Sequence, residues 1–131
     1  MLLRVHKAIS NAQGWLPFDQ FMAMALYEPG LGYYANQQPK FGSMPQSGSD
    51  FVTAPELSPL FGAALAKQVA EALAATGTDE VWEFGAGSGA LAQQLLTELK
   101  RLGTPLKRYN IMDLSSTLKA RQQAKLAEWG D

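Results

Sequence analysis

Three alternating glycines that follow a short apolar segment constrain this chain more than any other feature. The sequence VWEFGAGSG spans residues 81–89. Because glycine has no Cβ, this spacing lets the backbone turn tightly and lets a ligand approach it closely. The apolar segment before the loop predicts a strand and the segment after it a helix, and open parallel sheets bind ligands at such junctions. The pattern therefore predicts an α/β fold with a nucleotide-type ligand at the loop.

The acid before the loop distinguishes between two kinds of ligand. The segment 85–90, GAGSGA, also fits the G-x-G-x-x-A variant of the dinucleotide fingerprint. Dinucleotide folds usually keep an apolar residue where Glu83 stands, and they often begin with the glycine strand, whereas about 80 residues precede it here. A carboxylate suits the ammonium group of S-adenosylmethionine (SAM). We therefore predict SAM as the cofactor, with NAD or FAD as the alternative, and no Gly-Lys-Ser/Thr follows to make a P-loop.

The predicted cofactor-binding residues are the acid, the glycine loop and the end of the second predicted strand. Asp113, at the end of that strand, is placed to accept hydrogen bonds from ribose hydroxyls, which fits either kind of cofactor. Two simpler roles stay open, with Glu83 capping a neighbouring helix and Asp113 forming the N-cap of the last one. The full predicted set is Glu83, Gly85, Ala86, Gly87, Gly89, Asp113 and Leu114.

Hydrophobic spacing predicts the remaining elements. Residues 31–49 contain several glycines and prolines and are typical of a long irregular loop, and residues 50–56 are predicted to be extended. Ser58 is a favourable N-cap, with Pro59 in the first turn. We expect a helical and irregular N-terminal region over 1–57 and a Rossmann-like domain that begins at 58. The predicted helices are 2–12, 18–27, 59–75, 89–102 and 117–129, and the predicted strands are 80–84 and 109–113.

Composition argues against several classes of protein. The 131 residues carry a net charge of −1, which gives no electrostatic footprint for nucleic acid. There is no cysteine and a single histidine, His6, so we expect no disulfide, no metal site and no Ser-His triad. No apolar run approaches the roughly 20 residues of a membrane span, and the N-terminus is charged too early for a signal peptide. We expect a soluble, cytoplasmic protein.

Two further motifs carry a family resemblance. They are FMAMALYEPGLGYY at residues 21–34 and DFVTAPELSPLFG at residues 50–62. Together with EFGAGSG at 83–89, they closely resemble the MidA-like family of SAM-dependent methyltransferases, which includes the mitochondrial complex I assembly arginine methyltransferase. The resemblance runs from about residue 14 to 126. It implies a class I methyltransferase fold, a Rossmann-like doubly wound parallel sheet, of which this chain holds the N-terminal part.

The resemblance also implies roles for particular residues. It places Glu83 and the three loop glycines on SAM and Asp113 on the adenosine ribose. It suggests that Asp50, Thr53 and Glu56 line the cofactor or acceptor side of the cleft, as candidate catalytic residues, and that the acceptor is a protein, with arginine as the family-level expectation. From the residues alone, helix capping by Thr53, Glu56 and Ser58 stays the alternative.

Two other expectations concern the whole chain. Two strands make a poor sheet, so we expect either a piece of a larger protein or a chain that pairs through its open edge as a homodimer. The second functional hypothesis is a non-catalytic assembly protein that uses the same fold for docking. In that case the aromatic-rich segment 33–41 contacts a partner, whereas the simpler interpretation is that Tyr33 and Tyr34 pack against the helix that contains Tyr27.

Overall fold

The computed structural model describes residues 1–36 and 52–130, and the chain divides into two compact units. The first unit consists of Met1–Gln38 with Leu114–Thr117, and the second consists of Pro39–Asp113 with Leu118–Asp131. The domain boundary at residue 58 stays a prediction. Within the described ranges, no helix combines the length and the apolar character needed to cross a membrane.

The first unit contains helices α1 (Leu2–Asn11) and α2 (Phe18–Tyr27), and both lie where the hydrophobic spacing predicts them. Pro17 precedes α2 as its N-cap residue. An ion pair of 3.5 Å joins Arg4 to Glu28. The first unit thus supplies two short helices whose positions follow from sequence.

The chain folds back on itself directly after α2. The backbone N–H of Tyr34 donates to the carbonyl of Leu26 at 2.8 Å. Gly32 permits this turn, because a Cβ at this position would lie 2.6 Å from the backbone nitrogen of Glu28. The rings of Tyr27 and Tyr34 stack with their centroids 5.9 Å apart. Tyr34 therefore packs on α2, as in the simpler of the two interpretations of this segment.

The second unit holds a strand–helix–strand arrangement. The prediction of a last helix over 117–129 is wrong in its final turn. The α-helix, α6, ends at Leu126, and a 3₁₀ helix follows it. The prediction of extended backbone over 50–56 is wrong where it overlaps α3, whose first turn accommodates Pro55. The elements are α3 (Ala54–Leu57), α4 (Pro59–Thr76), β1 (Glu80–Phe84), α5 (Ala90–Arg101), β2 (Arg108–Met112), α6 (Ser116–Leu126) and the 3₁₀ helix Ala127–Trp129.

The two strands pair in parallel, with Val81 opposite Tyr109 and Glu83 opposite Ile111. The backbone N–H of Gly85 donates to the carbonyl of Met112 at 2.8 Å, so the pairing continues into the glycine loop. Because the strands are parallel, both carboxyl ends lie at the same edge of the sheet. The glycine loop and Asp113 therefore emerge side by side.

The core of the second unit lies between α4 and α5, at Ala66, Leu95 and Leu99, and Tyr109 of β2 packs against it. Side chains alternate between the two faces of a strand. Tyr109 and Glu83 consequently share the face that meets the core. On the other face the described side chains of Trp82, Phe84 and Met112 are exposed, by 56%, 73% and 54%.

Candidate functional site

The glycine loop has the backbone conformation that its spacing predicts. Gly85, Gly87 and Gly89 have φ values of 69°, 57° and 82°. All three lie in the left-handed region, which side chains other than glycine adopt only at a cost. Gly89 is also the N-cap residue of α5. The loop therefore needs glycine at each alternate position for conformational reasons alone.

A buried glutamine ties this loop to the end of β2. Gln122 of α6 is 4% exposed. Its Nε2 donates to the carbonyl oxygen of Gly87 at 3.0 Å and to Oδ2 of Asp113 at 2.9 Å. One side-chain amide thus fixes Asp113 relative to the glycine loop. Sequence reasoning missed Gln122, because it stands in a polar helix with no motif around it.

The carboxylate of Glu83 is half-buried and accepts a hydrogen bond from Tyr109. The Tyr109 hydroxyl donates to Oε2 of Glu83 at 2.7 Å. Burial raises the pKa of Glu83, and this hydrogen bond partly opposes the rise. Burial first, and then the bond to Glu83 and its charge, raise the pKa of Tyr109 well above its usual value, so the phenol keeps its proton. In the described chain Glu83 receives this hydrogen bond rather than capping a helix.

The raised pKa of Glu83 predicts a pH-dependent stability effect. The pKa of this carboxyl is higher in the folded than in the unfolded state. Its protonated form therefore stabilises the fold at pH values below the unfolded pKa, and this stabilisation is lost as pH rises through the folded pKa. Glutamine carries no charge and still accepts from Tyr109. We therefore expect Glu83→Gln to raise Tm by a few degrees at pH 7 and to change it little at about pH 4, where Glu83 is largely protonated.

Circular dichroism melts of both proteins at the two pH values measure this effect. Glu80→Gln, on the same strand, is the matched control, because it removes an exposed ion pair of 3.2 Å with Arg108. We expect that control to lower Tm slightly or leave it unchanged at pH 7. An equal effect of Glu83→Gln at both pH values would contradict the assignment of the shift to the Glu83 charge.

A second carboxylate, Glu56 of α3, reaches the same loop. The hydroxyl of Ser88 donates to Oε1 of Glu56. The position of α3 is fixed in turn by Gln94 of α5, whose Nε2 donates to the carbonyl of Pro55 at 2.7 Å and whose Oε1 accepts from the N–H of Gly62 at 3.0 Å. Ser88 and Gln94 were not predicted as site residues, since contacts between distant segments leave no local pattern.

Both carboxylates line one cleft at the carboxyl edge of the sheet, with a volume of about 260 Å³. The described lining contains two acids, Glu56 and Glu83, and no lysine, arginine or histidine. Opposite charges attract most strongly where water is partly excluded. The cleft therefore suits a ligand with a cationic group and disfavours a pyrophosphate. Its lining is Thr53, Pro55, Glu56, Phe61, Glu83, Gly85, Ala86, Gly87, Ser88, Ala90 and Leu91.

The structure brings most of the predicted site residues together. Thr53, Glu56, Glu83, Gly85, Ala86 and Gly87 all line the cleft. Gly89 is buried, and a Cβ there would meet Gln122 at 3.5 Å. Leu114 is 77% exposed and belongs to the first unit, and Asp50 lies outside the described residues.

The capping alternatives are also resolved for Ser58 and Thr53. The hydroxyl of Ser58 accepts from the N–H of Leu60 at 3.2 Å, so Ser58 caps α4 as predicted. Thr53 precedes α3 with extended backbone, and its side chain makes no capping hydrogen bond. Thr53 therefore contributes to the cleft without serving as a side-chain cap.

Comparison with known families agrees with this chemistry. A family model described as "Putative S-adenosyl-L-methionine-dependent methyltransferase" matches residues 64–131, which is more than half of the chain. The chain belongs to this family. The resemblance stated from the sequence is confirmed, and so is SAM as the cofactor of the family.

Similar proteins include curated relatives and solved structures. The mitochondrial protein arginine methyltransferase NDUFAF7 of Mus musculus is 30% identical over 125 residues, which is 90% of this chain and 28% of the relative. The homologue in Caenorhabditis elegans is 29% identical over 122 residues. A COG1565 superfamily protein from Burkholderia thailandensis, crystallised with S-adenosyl-homocysteine (SAH), is 52% identical with a TM-score of 0.88 over 98% of this chain and 33% of that chain.

These matches show the fold of the chain and how much of each relative's length it covers. The predicted fold class, a Rossmann-like α/β methyltransferase of which this chain holds a part, is confirmed by the structural match. The chain spans about a third or less of the length of the proteins that it matches.

Proposed function

We propose that this chain forms the SAM-binding part of a methyltransferase that acts on a protein acceptor. The observation that carries the proposal is the cleft itself, in which the left-handed glycine loop meets two carboxylates and no basic side chain. Bound SAH in the Burkholderia thailandensis protein, at 52% identity, supports the same ligand for this chain. When bound, SAM would supply the methyl group of its sulfonium: an acceptor atom would attack the methyl carbon in line with the S–CH3 bond, which breaks as SAH leaves.

The cleft accommodates the amino-acid end of the cofactor in this proposal. Its volume of about 260 Å³ lies just below the roughly 300–1,000 Å³ of whole small-molecule pockets. Glu83, half-buried and beside the loop, holds the ammonium group through a charge-assisted hydrogen bond. Asp113, tied to Gly87 through Gln122, takes the ribose hydroxyls at the neighbouring strand end.

The relatives and the second carboxylate support an arginine acceptor within this proposal. The curated relatives are protein arginine methyltransferases that are about 30% identical to this chain. A guanidinium is best held by carboxylates, which accept two parallel N–H bonds. We assign this role to Glu56, with Thr53 beside it and Asp50 as a further candidate. Their contribution is to orient the acceptor, which lowers a methyl-transfer barrier by limiting motion.

Isothermal titration of the chain with SAH, with NAD as the control, tests the cofactor proposal. We expect binding of SAH and no binding of NAD, because a pyrophosphate meets two carboxylates in the cleft. Binding of NAD with equal affinity would overturn the proposal. Labelled SAM with an arginine-containing protein extract then tests the acceptor, since a non-catalytic assembly protein binds SAH without turnover.

A further inference from the structure

The hydroxyl of Tyr109 is the feature of the site that the cofactor contacts do not account for. Tyr109 stands on β2, and its ring packs against the core formed by Ala66, Leu95 and Leu99. A phenylalanine at position 109 would fill the same space without a hydroxyl. The hydroxyl instead donates to Oε2 of Glu83 at 2.7 Å. A hydroxyl in such surroundings requires a partner, and here the partner is the acid of the cleft.

Tyr109 bonds to Glu83 without lining the cleft itself. Glu83 is among the residues that line the cleft and Tyr109 is not. The register places Tyr109 opposite Val81, two residues before Glu83 on the same face, so the phenol approaches the carboxylate diagonally across the strands. This hydrogen bond is made to the side chain of Glu83, at its Oε2 atom. The bond fixes one carboxylate oxygen and leaves the cleft side of the group for a ligand.

We propose that Tyr109 is a positioning residue, which orients the Glu83 carboxylate for the ammonium group at the amino-acid end of the cofactor. This inference rests on the proposed function. A half-buried carboxylate is costly to ionise, and a hydrogen bond from a neutral donor offsets part of that cost. The high pKa of the phenol ensures that Tyr109 stays a donor over the working pH range.

The test compares SAH with 5′-methylthioadenosine, which lacks the amino-acid end. We expect Tyr109→Phe to weaken SAH binding about tenfold, as for loss of one hydrogen bond to a charged group, and to leave 5′-methylthioadenosine binding unchanged. Tyr27→Phe removes a hydroxyl in the first unit and serves as the matched control. An equal loss for both ligands would show a general structural defect and would overturn the inference.

Two further readouts distinguish positioning from packing. In the Glu83→Ala background, we expect Tyr109→Phe to have no additional effect on SAH affinity, because no side chain is left at position 83 for the phenol to orient. In the ligand-free protein, the pKa of Glu83, followed by the carbon-13 shift of its carboxyl group, should rise in Tyr109→Phe. Additive effects, or an unchanged pKa, would contradict the inference.

The proposed function and this inference fail in different ways. If the unsubstituted chain does not bind SAH, the proposed function falls, and the inference falls with it. If the unsubstituted chain binds SAH and Tyr109→Phe binds it equally well, only the inference falls. The pKa measurement needs no ligand, so it reports on the Tyr109–Glu83 pair separately from cofactor binding.

Discussion

Replacing Gly87 with valine should weaken SAH binding by about 100-fold or more while the chain stays folded. Gly87 has a φ of 57°, a conformation that a β-branched residue avoids. A valine moves the backbone out of this region and pulls the Gly87 carbonyl away from Gln122. Because Gly87 lines the cleft, the displaced loop no longer fits the cofactor. Titration calorimetry with SAH measures the loss.

A matched substitution separates ligand binding from backbone strain. Gly103 has a φ of 68°, has open space where a Cβ would stand, and lies before β2, at the opposite edge of the sheet from the cleft. Gly103→Val therefore carries a comparable conformational cost of about 1–2 kcal/mol without touching the site. We expect it to lower stability and to preserve SAH affinity. Unchanged affinity in Gly87→Val would refute the assignment of the loop.

Sequence alone predicts the local features of this chain well. The positions of β1 and α2, and the capping of α4 by Ser58, follow from hydrophobic spacing and capping preference. The left-handed conformation of the loop follows from alternating glycines. These features depend on a few neighbouring residues, and short-range physics decides them.

Contacts between distant segments are what the sequence does not reveal. Gln122 reaches Gly87 across 35 positions, and Gln94 reaches Pro55 across 39. Both are glutamines on helices, where they look like ordinary polar residues. Only the parallel register shows that Tyr109 faces Glu83. The side chains that support the site, Gln94, Gln122 and Tyr109, are therefore placed by tertiary packing. The glycine loop itself can be predicted from the sequence.

The error at residues 54–56 has a related cause. Proline disfavours the helical region for the residue before it, so Pro55 favours an extended segment. The structure instead has a four-residue helix with Pro55 in its first turn. The carbonyl of Pro55 accepts a hydrogen bond from Gln94, and Glu56 accepts one from Ser88. These tertiary bonds stabilise a turn that local preference alone does not.

The second large effect is expected on stability, from Gly62→Ala in α4. Alanine in place of glycine within a helix normally stabilises it by about 0.5–1 kcal/mol. Here the added Cβ would overlap Cβ of Gln94 and lie 2.5 Å from its Oε1. A Cβ cannot swing aside, so α4 and α5 must separate. We expect a loss of about 2–3 kcal/mol, measured by urea denaturation, from overpacking and from the disturbed Gln94 hydrogen bonds.

The sign of this effect tests the packing of the site as well as the fold. Gln94 holds α3 through Pro55, and α3 carries Glu56 to the glycine loop, so a shift of Gln94 should also weaken SAH binding. Gly77→Ala is the control, because Gly77 ends α4 with a φ of 66° and open space around it. It should reduce stability by about 1 kcal/mol through backbone strain and leave SAH affinity intact. A Gly62→Ala protein more stable than the original would mean that α4 and α5 do not approach as closely as the Gly62–Gln94 contact requires.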